Sequence, residues 1–540
     1  MRRIVTCEQM RAIERAADAN GHTYARMMDR AGEAVAEVIA ARVSPVEGKR
    51  ICILVGPGNN GGDGLVAGRI LAERGAQVGF YLVKARAEPD ANLAAVRDRQ
   101  LLIAEAGEDQ RGRVLKKLLA SAEVVVDAVL GTGFRLPLQG EAQQVLAMTG
   151  RELAARTERP LVVAIDCPSG VDADSGEHAP EALAADITLT LAAVKMGLIE
   201  FPAATLTGEL RVSDIGLDLS MPELEAIRAF LVEAEDVAGW LPPRPADAHK
   251  GTFGRALVVA GSSNFPGAAA LAGLGAYRVG AGLVTLAVPS PVQAGIVPLL
   301  PEATWVLLPH DTGVIAGDAA ALVLRELSSS QAMLIGPGLG HEETTREFLA
   351  RLLGQRGKPG IGFYTSEGGE SRGNAALPPL VIDADGLRLL SSLDDWSARL
   401  PRFTVLTPHP GEMAVLTGLA KEAIQQDRLG VARTWAERWG QIVVLKGANT
   451  VVATAEGEAF VIPFATAALA RGGTGDVLAG AIVGLMAQGM PPARAAVAGA
   501  FLHGLAGELA AMSVGTTASV LAGDVADSLP QAIAEVLDRA

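Results

Sequence analysis

Cysteine is scarce: Cys7, Cys52 and Cys167 are the only three in 540 residues, and no CxxC or Cys/His spacing accompanies them. That excludes a disulfide framework and a zinc site of recognisable spacing. Positive charge is also in deficit, with 47 Lys and Arg against 61 Asp and Glu for a formal charge of -14. General binding to nucleic acid or an anionic membrane is disfavoured, although a local basic pocket can still hold a phosphate. No signal-like apolar core follows the first six residues, and the apolar run over 477–490 is too short and glycine-rich to span a bilayer. The expectation is a cytoplasmic protein without nucleic-acid or membrane partners. What the chain has in quantity is glycine and proline, 62 and 29 without a fixed repeat, which means many tight turns. Its length predicts two domains.

Residues 8–41 read as two amphipathic helices, with Met10, Ile13, Ala16 and Ala17 on one stripe of the first. Met27, Ala31, Val35, Val38 and Ile39 form the stripe of the second. From Arg50 short apolar strands at 51–55, 78–83, 124–126 and 161–165 alternate with helical sequence, including 65–73. Strands this apolar indicate a parallel sheet covered on both faces, with ligands at the strands' carboxyl ends. Three polar loops leave those ends. Residues 56–64 hold five glycines in nine residues, without the spacing of a P-loop or a convincing GxGxxG, yet suited to cradling a diphosphate. Residues 127–134 and 166–172 each place an aspartate directly after a strand. Any one of these is more readily a structural turn; three on one sheet edge favour a site.

The loop Gly56-Pro57-Gly58-Asn59-Asn60-Gly61-Gly62-Asp63-Gly64, then Asp127 with Gly131-Thr132-Gly133, then Asp166-Cys167-Pro168-Ser169-Gly170, resemble the NAD(P)H-hydrate epimerase family over residues 1–220. The resemblance implies substrate contacts at Asn59, Asn60, Gly61, Gly62 and Asp63 and at Gly131, Thr132, Gly133, Phe134, Arg135, Leu136 and Pro137. It implies a potassium ion on Asn60, Asp127 and Ser169, whose oxygens suit a hard cation. Asp166 matches the substrate-contacting carboxylate and is the candidate acid/base at C6 of the nicotinamide ring. The run Met28-Asp29-Arg30-Ala31-Gly32 departs from that family's Met-Glu-Asn-Ala-Gly.

Residues 221–248 are acidic and proline-bearing, as expected of an interdomain linker with one short helix. A second αβ series follows, with strands expected at 255–260, 283–288, 304–308, 332–335, 381–382, 404–406 and 442–445, and an exposed insertion over 355–378. It ends on Arg471-Gly472-Gly473-Thr474-Gly475-Asp476, running into an alanine-rich helix. Free amides at a helix start hold anions. Asp476 there is either an N-cap or a group that takes a proton from a substrate hydroxyl or works through a metal. His409, between two prolines after a strand, stands open between a packed turn and a ligand contact, and Lys446 between a solvated charge and a site residue. His503, in an apolar helical run, reads as structural, and Asp383 and Asp385 as supports of a strand-to-helix turn.

The ordered motifs KGTFG, FPGA, GPGLG, DADGL, TPHPGE, KGANT and GGTGDVLAG resemble the ADP-dependent NAD(P)H-hydrate dehydratase family over residues 245–540. The expected fold is therefore α/β: an amino-terminal Rossmann-like parallel-sheet domain (1–220), a linker, and a carboxyl-terminal ribokinase-like α/β domain (249–540). The resemblance places nucleotide contacts at Lys446, Gly447, Ala448, Asn449, Thr450 and Gly475, and hydrate contacts at Ala268, Gly338, His409 and Asp476. It implies NADH and NADPH hydrates and ADP as substrates, magnesium at the second site, Asp166 and Asp476 as catalytic residues, and a homo-oligomer. The competing readings are a small-molecule kinase of the hydroxyethylthiazole type and a nucleotide-holding scaffold.

Overall fold

The computed structural model describes residues 1–354 and 377–539. The chain divides into two compact units, Arg2–Ala229 and Phe230–Ala540. The insertion expected over 355–378 falls, up to residue 376, outside the described residues.

The amino-terminal unit begins with β1 (Arg2–Val5), α1 (Cys7–Ala19) and α2 (Tyr24–Arg42). The hydroxyls of Thr6 and Thr23 cap the two helices, and Gln9 completes a capping box on α1. The strands that follow are β2 (Arg50–Val55), β3 (Gln77–Leu82), β4 (Leu102–Glu105), β5 (Val124–Ala128), β6 (Leu161–Ile165) and β7 (Ile187–Leu191). After them, β8 (Val194–Lys195) pairs with β1, and β9 (Glu209–Ser213) closes the main sheet. That sheet is parallel throughout, in the order β4-β3-β2-β5-β6-β7-β9. Alternation along β2 explains why both faces are covered. Ile51, Ile53 and Val55 enter one core with Val35, Ile39, Leu65 and Leu71, while Cys52 and Leu54 enter another with Leu115, Leu119 and Leu146. Each such side chain contributes about 1.5–3 kcal/mol by leaving water. The order reverses between β2 and β5, which opens the crevice where ligands settle in such sheets.

One local expectation is corrected. Helix α3 runs Asn59–Glu73 and does not wait until Leu65, so most of the glycine-rich stretch is helical. Its glycines serve close packing: a Cβ at Gly62 would meet the Met28 thioether at 2.5 Å, and one at Gly64 would stand 2.7 Å from Ala128. The turn itself is residues 56–58, and a Cβ at Gly56 would overlap the Val129 carbonyl. Helix α3 starts on Gly58 with no side-chain cap.

The carboxyl-terminal unit repeats the scheme. Its parallel strands lie in the order Thr304–Leu308, Leu283–Pro289, Arg255–Val259, Ala332–Ile335, Leu380–Ile382, Val405–Leu406 and Ile442–Leu445. Val451–Ala453 and Ala459–Val461 then continue it antiparallel. The order again reverses, here between Arg255–Val259 and Ala332–Ile335. Helices Pro266–Arg278, Thr474–Ala487 and Ala522–Asp538 contribute to the same core.

The stretch expected as a linker, 221–248, is structured from its start, with helices Pro222–Glu225 and Ala234–Ala238. Met221, Leu224 and Ile227 are buried in the amino-terminal unit's core, and Val232, Ala234 and Val237 in that of the other. The longest apolar helix is Pro492–Val514, longer than the run singled out at 477–490. Although 23 residues would reach across a bilayer, 78% of its most apolar window is buried, as in a core helix.

Candidate active sites

Two sites form at the two sheets' carboxyl edges. In the amino-terminal unit, β2, β5 and β6 deliver the turns at Gly56, Val129 and Asp166 to one cavity of about 540 Å³. Asn59, Asn60, Asp63, Gly131, Thr132, Gly133, Phe134 and Asp166, named above as substrate contacts, line it. A Cβ on Gly131 would stand 3.5 Å from Asn60 and 3.7 Å from Asp166 Oδ2, so these three segments meet closely. Gly61 and Gly62 do not line the cavity, because α3 turns them against Arg86 and Met28. Arg135, Leu136 and Pro137 lie past the lining, and Arg135 faces Asp172 at 3.9 Å.

Asp166 takes a left-handed backbone conformation, φ 65°, uncommon for a residue with a Cβ. Its Oδ1 accepts bonds from Lys195 Nζ at 2.5 Å and from the Leu191 amide at 3.2 Å. Lys195 is buried and donates its other protons to the Leu191 carbonyl at 2.7 Å and Thr190 Oγ1 at 3.2 Å. Asp63, from the second turn of α3, is buried against the cavity and accepts no hydrogen bond among the described residues. Burial first, then the charges of Asp166 and Glu14, raises its carboxyl well above the ordinary range. Burial likewise raises Glu14, with Lys195 opposing.

Beside them lies a polar cluster. Asp127 accepts bonds from Ser169 Oγ at 2.5 Å and the Ser169 amide at 2.7 Å. Burial raises the Asp127 carboxyl, and these bonds offset part of the rise. Asn60 Nδ2 donates to the Leu130 carbonyl at 2.9 Å, while Asn60 Oδ1 is buried without a partner. The sequence reading missed Arg11, Glu14, Arg15 and Tyr24, which α1 and α2 bring to the cavity, and also Lys195. Their spacing is that of ordinary helix surface and strand end, so only the tertiary fold reveals them.

In the carboxyl-terminal unit, Asp383, Thr407, His409 and Lys446 follow successive parallel strands. Lys446 Nζ bonds Asp383 Oδ1 at 2.6 Å and lies 3.8 Å from Glu412 Oε2. Burial alone would lower the Lys446 ammonium, but the two carboxylates outweigh it and the net shift is upward. Asp383 Oδ1 also accepts from Thr407 Oγ1 at 2.7 Å, whereas its Oδ2 is buried and unpartnered. A Cβ on Gly475 would stand 3.4 Å from Lys446 Nζ and 3.9 Å from that Oδ2. Gly447 and Thr450 form one turn after Lys446, Thr450 Oγ1 donating to the Gly447 carbonyl at 2.9 Å. Asp385 accepts from the Gly340 amide at 2.9 Å, which ties it to the turn after Ala332–Ile335 and not to the strand-to-helix turn foreseen for it. Gly338, at φ 63°, packs so closely against Phe265 and Ala268 that a Cβ there would stand only 2.8 and 2.9 Å from their Cβ atoms.

The helix Thr474–Ala487 begins on Gly473, φ 91°, with no side-chain cap. Asp476 is therefore not its N-cap; it sits in the first turn and accepts no hydrogen bond among the described residues. Burial, followed by the charge of Asp383, pushes its carboxyl up to about 7 against the pull of Lys446. His409 is itself an N-cap: its Nδ1 accepts from the amides of Gly411 at 2.9 Å and Glu412 at 3.3 Å, leaving a half-exposed ring. His503 bonds the Thr474 carbonyl through Nε2 at 2.9 Å, and burial lowers it to about 4, so a neutral histidine props up the first turn behind Asp476.

Two doubly covered parallel sheets, each with buried carboxylates at its switch-point edge, define a two-site α/β enzyme. Residues 24–197 match the family model described as YjeF-related protein N-terminus, and residues 256–531 the one described as NAD(P)H-hydrate dehydratase. The chain belongs to the family of bifunctional NAD(P)H-hydrate repair enzymes. It is 37% identical to the Moorella thermoacetica member over 93% of this chain and 91% of that protein. The Thermofilum pendens member is 34% identical over 94% and 92%. Among solved structures, the ADP/ATP-dependent NAD(P)H-hydrate dehydratase of Bacillus subtilis, co-crystallised with ATP and Mg2+, aligns with 58% of this chain and all of its own at 31% identity and TM-score 0.46. Full-length kinship to repair enzymes supports the repair reading over the small-molecule kinase.

Proposed function

We propose that the amino-terminal site interconverts the R and S epimers of hydrated NADH and NADPH, and that the carboxyl-terminal site dehydrates the S epimer while splitting ADP to AMP and phosphate. The observation that carries the second half is Asp476, a carboxyl raised to about 7 beside glycine amides at a helix start. Asp476 takes the proton of the C6 hydroxyl, whose oxygen then attacks the terminal phosphoryl of ADP. AMP departs, phosphate leaves C6 in place of hydroxide, and loss of a C5 proton restores the double bond. Lys446, Gly447, Ala448, Asn449, Thr450 and Gly475 are assigned to the nucleotide, with amides ahead of Asp476 receiving the phosphoryl oxygens. Ala268, Gly338 and His409 are assigned to the hydrate. The unpartnered Asp383 Oδ2 suits a magnesium ion, which when bound neutralises phosphate charge.

At the first site Asp166 is assigned to acid–base work at C6, with Asn59, Asn60, Gly61, Gly62 and Asp63 and the 131–137 loop around the dinucleotide. Asn60 Oδ1 lacks a partner beside the ionisable Asp127 and Ser169, a mixed oxygen set suited to potassium. The described residues hold no cluster of three His, Cys, Asp or Glu side chains fit for a transition metal. We place the enzyme in the cytoplasm as a homo-oligomer.

The test is incubation of mixed R and S hydrates with ADP, followed by NADH absorbance. Full conversion is expected with potassium. When tetramethylammonium replaces potassium, conversion should slow after about half the hydrate is consumed, because the epimerase becomes limiting. A plateau at half with potassium present would remove the epimerase, and accumulation of a phosphorylated hydrate would remove the dehydratase.

A further inference from the structure

We propose that Asp63 is the second acid–base residue of the amino-terminal site, giving its proton to the departing C6 hydroxyl while Asp166 takes one from the water that returns on the opposite ring face. The proposal rests on the epimerase reading and assigns the proton transfers within it.

The geometry separates the two carboxyls. Asp166 is half of an ion pair with a buried lysine at 2.5 Å and accepts a backbone amide as well, the surroundings of a carboxylate. Asp63 is 5% exposed, opens onto the same cavity and receives no donor from the described residues. The charged groups around it are Asp166 from the end of β6, Glu14 from α1, Lys195 from β8, and Arg86. Lys195 has its protons committed to Asp166, Leu191 and Thr190, and Arg86 is turned to Asp90 at 2.6 Å and to the carbonyls of Gly56 and Gly58. Without a cation or amide of its own and facing two other carboxylates, Asp63 is held as the neutral acid. A neutral carboxyl carries an O–H, and among the described residues none accepts it, which leaves it for a molecule in the cavity. An unpartnered carboxyl beside one that is ion-paired to a buried lysine is an arrangement that supplies one acid and one base.

The step balances without an outside reagent. The Asp63 proton moves to the C6 hydroxyl oxygen, the C6–O bond breaks, and water leaves as the N1 lone pair forms an N1=C6 iminium. A water molecule then bonds to C6 from the other face and gives one proton to Asp166. Asp63 is left ionised and Asp166 protonated, so the reverse inversion runs with the roles exchanged.

The experiment follows R-to-S interconversion by chromatography of the full-length protein in 18O water. Wild type should take one solvent oxygen into C6 per inversion. Asp63→Asn should slow inversion at least about a hundredfold, and Asp63→Ala should recover part of its rate when formate is added. Asp63→Asn within tenfold of wild type, inversion that keeps the original oxygen, or loss confined to Glu14→Gln would each overturn the assignment while leaving the epimerase reading intact. Failure of wild type to interconvert the epimers would overturn both.

Discussion

Asp476→Asn is expected to lower ADP-dependent dehydration of the S hydrate about 10⁴-fold, the upper range for a lost general base. The substitution keeps shape and removes only the ability to take a proton. Because the wild-type carboxyl is raised to about 7, kcat/KM for dehydration should fall about tenfold per pH unit below that value, since this ratio reports the free enzyme. Stability moves the opposite way. The folded state keeps a proton that the unfolded chain releases near the ordinary value of 3.8, so this group's stabilising contribution is present below that value and is lost as pH rises to about 7. At pH 8 without nucleotide, Asp476→Asn should therefore melt above wild type while being nearly inactive. Near-normal dehydration in the variant, or a flat wild-type profile between pH 5 and 8, would contradict the role of base.

The second large effect is expected at Lys195. Lys195→Met keeps an apolar stem and leaves Asp166 as a buried carboxylate without its counter-ion, which should cost about 3–5 kcal/mol of stability. Epimerisation should drop by about a thousandfold, because Asp166 loses the cation that holds it in place as the base. The double variant Lys195→Met with Asp166→Asn separates these causes. It should recover most of the lost stability, since neither partner is left charged, and none of the activity. A single Lys195→Met that epimerises within a fewfold of wild type would show that Asp166 works without its lysine.

The strand-and-helix alternation was legible because both sheets are parallel and buried on both faces, so each strand is a short apolar run. Leu161–Ile165, Thr304–Leu308, Ala332–Ile335 and Ile442–Leu445 lie where the runs end. The start of α3 was not legible. Glycines at 61, 62 and 64 look like loop, and only the approach of Met28 and Ala128 explains why a helix there needs them. Asp166 is marked in the sequence by following a strand, whereas Asp127 lies inside β5, one residue earlier than the strand's end, and Ser169 was implied only by the family resemblance. Lys195, although beside Asp166 in space, lies 29 positions away in the chain, at the end of a two-residue strand. Glu14, Arg11 and Arg15 belong to a helix whose apolar stripe dictates its pattern, and these polar residues line the cavity only because the fold brings α1 beside it. In the second unit the choice between N-cap and chemistry for Asp476 depended on where the helix begins, and a left-handed Gly473 takes the cap position instead.

Helices Asn59–Glu73 and Thr474–Ala487, to which the proposed sites belong, each begin on a glycine that offers no side chain to its leading amides. An ordinary serine or aspartate cap is worth about 0.5–2 kcal/mol, so each start forgoes that support until an anion arrives. The resulting enzyme carries its occupancy record in its own durability. A nucleotide at 100 times its Kd adds about 2.7 kcal/mol to folding, which should appear as a raised melting temperature with ADP. In a cell whose adenylate pool collapses, the empty protein would open more often and meet proteases sooner, so its abundance would track the supply of the molecule it consumes.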